Sequence, residues 1–209
     1  MTQNITIQYI FDPLCGWCYG ASDTMAKLAA HPSVSVQMMP SGLFSGHGAR
    51  PMAGFAKQAW QNDQRIAQLS GRTFSEAYRV NVLGAADAKL DSSVATLALT
   101  AVSQEEPDRE MEALKAIQEA RYVDGQDVTS PAVVAALLAE LSLPQAAAAV
   151  LNPDDALLRA VRDRTAVARD AMKQNHAQGV PTVITNAGQI DSSVLYAGLN
   201  KTLASLGLR

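Results

Sequence analysis

Both cysteines of this 209-residue chain lie in one tetrapeptide, Cys15-Gly16-Trp17-Cys18, at the point where a strand pattern gives way to a helical one. Ile5, Ile7, Tyr9 and Phe11 alternate with Thr6, Gln8 and Ile10, which predicts a strand with one well-buried face. After Asp12-Pro13-Leu14 the pattern is helical from Cys15 or Gly16 to Ala30, with Met25, Leu28 and Ala29 at helical spacing and His31-Pro32 as the stop. Val34, Val36 and Met38 then alternate as a second strand, so the first 42 residues read as a right-handed βαβ unit.

From Leu43 to about Asn152 no strand is predicted, and helical signals follow one another. They cover Met52 to Leu69 and Ser75 to Val82, then a helix capped by Ser92/Ser93 and carrying Val94, Leu97, Ala98 and Ala101. Met111, Leu114 and Gln118 continue the pattern, and Ser130-Pro131 opens a helix with Val134, Leu137, Leu138 and Leu141. Asn152-Pro153-Asp154 starts a helix striped by Leu157 or Leu158, Val161, Thr165, Ala168 and Met172, with Gly179 as its expected end. Thr182 to Thr185 is a short strand, Asn186-Ala187-Gly188 a turn, Gln189-Ile190 a returning strand, and Ser192/Ser193 the cap of a last helix. The expected class is therefore α/β, a thioredoxin-like fold with a large helical insertion between the βαβ unit and a C-terminal αββα unit. Residues 1–42 and 153–209 would form the discontinuous thioredoxin-like domain and 43–152 the inserted helical domain.

Composition bounds the function. Hydrophobic residues are 48% and charged residues 18%, the balance of a globular chain, and this length buries roughly 70% of the unfolded surface without disulfide staples. The net charge of −3 with no dense Lys/Arg block argues against nucleic acid and anionic membranes as partners. Neither a signal peptide nor an 18-residue apolar run is recognised, so a cytoplasmic address is expected. In such a reducing compartment a close cysteine pair is catalytic, sensory or metal-binding rather than structural.

A thiol at a helix N-terminus faces unpaired backbone N–H groups and the positive end of the macrodipole, which favour a thiolate; Cys15 is therefore the expected attacking sulfur. Cys18 lies nearly one turn further, placed to close a disulfide with Cys15 and to resolve a mixed disulfide. A zinc site is disfavoured, because His31, His47 and His176 have no ligand spacing among themselves; no metal or other cofactor is expected beyond the Cys15-Cys18 disulfide itself. Asp12 is either the proton acceptor for Cys18 or a turn-forming Asp-Pro residue. Trp17 and Tyr19 are either an aromatic lip for substrate or core, with Trp17 the better lip. His47, Arg50 and Met38-Met39 read as solvent or core residues.

The run from Phe11 through the two cysteines to Tyr19-Gly20, Ser41-Gly42-Leu43, Ala120 to Asp127, and Gly179-Val180-Pro181-Thr182 resembles the DsbA-like thioredoxin-fold proteins, specifically their FrnE-like intracellular branch of disulfide isomerases. The resemblance spans essentially the whole chain. It implies a cis peptide bond at Pro181 opposite Cys15, with Val180 offering its backbone to an extended substrate. Implied partners are protein or peptide disulfides and a thiol reductant such as glutathione or thioredoxin. Gly-Trp between the cysteines, where DsbA has Pro-His, implies a less oxidising couple than the periplasmic oxidant's. The competing expectations are a glutathione-dependent kappa-type transferase or isomerase, which typically has serine at the first position and lacks the second cysteine, and a redox-sensing peptide-binding chaperone module.

Overall fold

Strand β1 (Ile5–Phe11) buries one face through Ile7, Tyr9 and Phe11, while on the other face Thr6 is exposed, Gln8 half-buried and only Ile10 buried, and that decides the layering. In the computed structural model, which describes residues 4–208, Ile7, Tyr9 and Phe11 point into the main core, whereas Ile10 joins Met39, Ala168 and Ile184 in a second, smaller core on the other face. Helix α1 (Gly16–Ala29) covers the first face with Cys18, Met25 and Leu28. Strand β2 (Val34–Pro40) pairs parallel to β1, from Ile5 opposite Val34 to Phe11 opposite Pro40.

Chain between Pro40 and the closing hairpin is mostly helical: α2 (Met52–Ser70), a π-helical stretch at Tyr78–Leu83, α3 (Ser93–Glu105), α4 (Glu110–Tyr122), α5 (Pro131–Glu140), α6 (Pro144–Leu151) and α7 (Asp155–Gln174). Two corrections fall here. Arg50–Pro51 (β3) and Lys89–Leu90 (β4) form a two-residue antiparallel pair where no strand was expected, too short to show an alternation. Helix α6 lies over the run Ala146 to Ala149, which has Pro144 in its first turn but no polar face to reveal a period.

Asp154 caps α7 as the sequence suggests, accepting the Leu157 N–H at 2.8 Å. The helix stops at Gln174 rather than at Gly179: His176 takes the left-handed conformation (φ 55°), and the Ala177 N–H bonds back to the Met172 carbonyl. Strands β5 (Thr182–Thr185) and β6 (Gly188–Gln189) then complete a sheet in the order β2-β1-β5-β6, β5 being antiparallel to both its neighbours. Ser192 and Ser193 lie within a 3-10 stretch capped by Asp191; the last helix, α8 (Leu199–Ser205), begins after Gly198.

The helices join the sheet unit through polar as well as apolar contacts. Arg164 of α7 donates to both Glu110 oxygens (2.8 and 3.0 Å) and to the Met38 carbonyl (3.0 Å), linking α4, α7 and β2. Tyr19 of α1 stacks on Tyr122 of α4 (ring centroids 4.6 Å), and the Tyr122 hydroxyl donates to the Leu14 carbonyl at 2.8 Å. This last bond reaches the residue immediately before Cys15.

Candidate active site

Cys15 is the N-cap of α1, in extended conformation (φ −85°, ψ 120°), and its carbonyl accepts the Tyr19 N–H. No side-chain oxygen caps this helix and its first turn holds no acidic residue, so the first-turn N–H groups are left open to an incoming sulfur or anion. The Cys15 residue is 7% exposed; Cys18 is fully buried, and both are free thiols. Burial, followed by the nearby Cys15, pushes the Cys18 thiol well above the usual range. Alkylation of the reduced protein at neutral pH is expected to modify Cys15 at least tenfold faster than Cys18. Equal rates in a peptide-resolved time course would remove the distinction.

The Val180–Pro181 bond is cis, as the resemblance implies, and the Cys15 Sγ donates to the Val180 carbonyl at 3.6 Å. Residues 165 positions apart are thereby brought together at the end of the sheet. Trp17 is half-buried: its ring meets Tyr196 edge-on at 5.4 Å and its carbonyl accepts the Tyr196 hydroxyl. A cleft of about 480 Å³ opens beside it, with Val180, Pro181, Asp191 and Tyr196 among its walls. Tyr19 lies in the core, stacked against the aromatic cluster, and is not part of a lip.

Asp12 is fully buried. Its Oδ1 accepts the Leu14 N–H (2.9 Å), and its Oδ2 accepts the Phe44 N–H (3.0 Å) and the Ser92 hydroxyl (2.8 Å). The Ser92 side chain thus serves Asp12 instead of capping α3; Asp91 accepts the Ser93 N–H at that end. Burial raises the Asp12 pKa, and the Phe44, Leu14 and Ser92 hydrogen bonds, together with the Leu43 N–H, oppose that rise. Asp12 shapes the turn before Cys15 and lies within electrostatic reach of Cys18.

Sequence reasoning assigned no role to four other residues near the cysteines. The Tyr9 hydroxyl is buried without a hydrogen-bond partner and faces Cys18. Asp63 of α2, Tyr78 and Arg121 of α4 line, with Trp17 and Cys15, a second cavity of about 220 Å³. Asp63 is 4% exposed, accepts the Tyr78 hydroxyl at 3.0 Å, and has its pKa pushed up to about 7 chiefly by burial. Asp63 packs closely against Gly16: a Cβ at that position would stand 2.5 Å from the Asp63 Oδ1 and the carboxyl would have to move. Arg50, read from sequence as solvent or core, lies at the cavity's rim over the rings of Phe44 and Phe55. No group of three or more metal-ligating side chains occurs among the described residues.

Residues 6–203 match the model of the DsbA-like thioredoxin domain, so the chain belongs to the DsbA-like thioredoxin family and is, in that class, a disulfide oxidoreductase. It is similar to the cytosolic disulfide reductase DsbM from Pseudomonas aeruginosa, with 29% identity, 97% of each chain covered and a TM-score of 0.86. The structure of that reductase with GSH superposes over the same shares at a TM-score of 0.82. The fold is shared with a 2-hydroxychromene-2-carboxylate isomerase, at 16% identity, 97% and 96% coverage and a TM-score of 0.66. No curated protein matches the chain.

Proposed function

We propose that this oxidoreductase works as a disulfide reductase through Cys15 and Cys18, with glutathione as its low-molecular-weight thiol partner and the reducing cytoplasm as its compartment. The observation that carries the reading is the single arrangement of an N-capping Cys15 over a buried Cys18, with its sulfur 3.6 Å from the Val180 carbonyl. The glutathione assignment is supported by the similarity to DsbM, whose structure was determined with GSH.

In this mechanism a substrate disulfide lies along the cleft at Val180–Pro181, with Trp17 at its side. The Cys15 thiolate attacks one substrate sulfur; the S–S bond breaks, a Cys15–substrate disulfide forms, and the other sulfur leaves as a thiolate that takes a proton from solvent. Cys18 then loses its proton and attacks the Cys15 sulfur. The mixed disulfide breaks, the second substrate thiol departs, and two electrons have passed from the protein dithiol to the substrate. Two glutathione molecules, oxidised to their disulfide, return the protein to the dithiol. Asp12 is our candidate for the proton leaving Cys18: it lies within electrostatic reach of that thiol, and burial raises its basicity.

The direction follows from the motif. Gly16 and Trp17 supply no positive charge between the cysteines, which leaves the dithiol less stabilised as a thiolate than a histidine-containing motif would. The test is turnover of insulin disulfides with glutathione as reductant. Wild type is expected to be active, and Cys15→Ser to lose at least a thousandfold, since no nucleophile remains. Full activity in Cys15→Ser would overturn the assignment. A wild type that catalyses glutathione addition or isomerisation without reducing disulfides would favour the kappa-type reading, and one that binds peptides without turnover the chaperone module.

A further inference from the structure

Among the described residues, Arg121 is the largest side chain to be almost fully buried, at 2% exposure. A guanidinium keeps its charge at any ordinary pH, and burying one calls for an acceptor to offset the lost hydration. Here the offset is incomplete: Tyr78 and Asp63 lie within electrostatic reach, but the Arg121 Nε has no hydrogen-bond partner and no ion pair of the described residues includes Arg121. It is held instead by the rings of Tyr78 and Tyr122, each centred 5.6 Å from the guanidinium carbon. The same guanidinium borders the cavity that has Cys15 on its wall.

The other charged groups around that cavity leave it positive. Arg50 adds a second guanidinium at the rim. Asp63 is the one acidic residue of the lining, and with its pKa near 7 it is only about half ionised at neutral pH. Its carboxyl already accepts the Tyr78 hydroxyl, and although the Arg121 charge reaches it, the two form no direct ion pair. The cavity, at about 220 Å³, holds roughly seven waters at about 30 Å³ each, so a compact molecule fits and a folded polypeptide does not.

We propose that this cavity is a recognition subsite for the carboxylate of a small thiol or its disulfide, received by Arg121 with the substrate sulfur presented to Cys15. It is separate from the Val180–Pro181 cleft, and Trp17 forms part of both. Low-molecular-weight acidic disulfides are then the preferred substrate class. This deepens the reductase reading and rests on it for the reaction, although binding alone does not depend on the chemistry.

The test compares two disulfides of similar size, 3,3′-dithiodipropionate with two carboxylates and bis(2-hydroxyethyl) disulfide with none, together with suberate, which copies the length of the first but has no S–S bond. Wild type is expected to turn over the dicarboxylate with at least a tenfold higher kcat/KM than the diol, and to bind suberate in a calorimetric titration. In Arg121→Gln that preference falls at least tenfold, mainly through KM, and suberate binding weakens by a similar factor. If Arg121→Gln fails to fold, the wild-type preference and the suberate titration decide alone. Equal kcat/KM for the two disulfides with no suberate binding would overturn the subsite and mark the cavity as a water-filled void. A wild type that reduces insulin but neither small disulfide also overturns it while leaving the reductase reading intact. A wild type that binds suberate yet reduces no disulfide, insulin included, keeps the subsite and overturns the reductase reading.

Discussion

A Cys18→Ser protein is expected to accumulate covalent mixed disulfides at Cys15 while its turnover falls by a factor of at least a thousand. The attacking sulfur is untouched, so the first exchange proceeds. Resolution depends on a second sulfur one helical turn away, where intramolecular placement raises its effective concentration by several orders of magnitude, and a hydroxyl at neutral pH does not replace a thiolate. Cys18 is fully buried, so the isosteric exchange leaves the surface facing the substrate unchanged. Non-reducing gels and intact-mass measurement of protein incubated with a disulfide substrate read the trapped adducts directly. Near-normal turnover without adducts would show that an external thiol resolves the intermediate.

Replacing Asp63 with Asn is expected to remove a large pH dependence of stability. The Asp63 pKa is about 7 in the folded protein, against 3.8 for the ordinary carboxyl. A folded pKa above the unfolded one means that the folded state binds more protons between the two values, so this group's stabilising contribution is complete at low pH and is lost as pH rises through about 7. At about 1.4 kcal/mol per pH unit, the loss between pH 5 and pH 8 is on the order of 3 kcal/mol. Glu110, also raised to about 7 by burial in spite of Arg164, contributes with the same sign, so the comparison must be between wild type and Asp63→Asn at each pH. Urea unfolding at pH 5 and pH 8 gives both differences. The wild type is expected to lose more stability over that interval than the variant by about this amount, and parallel behaviour of the two proteins would place the Asp63 pKa in the ordinary range.

The parts of the molecule readable from sequence are those set by local pattern. Alternation over Ile5 to Phe11, the apolar spacing of α1 and the Asp154 cap all express themselves within a few residues, and each stands where the pattern puts it. The junction that carries Cys15 follows from them. What escaped the sequence depends on partners far along the chain. Ser92 looks like a helix cap, yet its hydroxyl goes to Asp12, 80 residues earlier. Asp63 and Arg121 look like ordinary polar positions of helices, and only the packing of α2 and α4 around Tyr78 and Tyr122 turns them into buried charges beside Cys15. The sequence points to Gly179 as the end of α7 because glycine is the usual left-handed residue, whereas His176 takes that conformation. Pro181 was legible only through resemblance, since nothing local to Val180-Pro181 brings it against Cys15.

In the proposed mechanism Cys15 and Cys18 form one redox couple with Cys15 as its entry point. Equilibration of the protein in glutathione buffers of graded potential, followed by acid quenching, intact-mass analysis and non-reducing peptide mapping, tests it most directly. The expected result is a two-electron transition in which the protein loses two hydrogen atoms and the peptide containing residues 15–18 becomes internally cross-linked, with any glutathione adduct confined to Cys15. Stable glutathione adducts on both cysteines, with no internal disulfide at any potential, would contradict it.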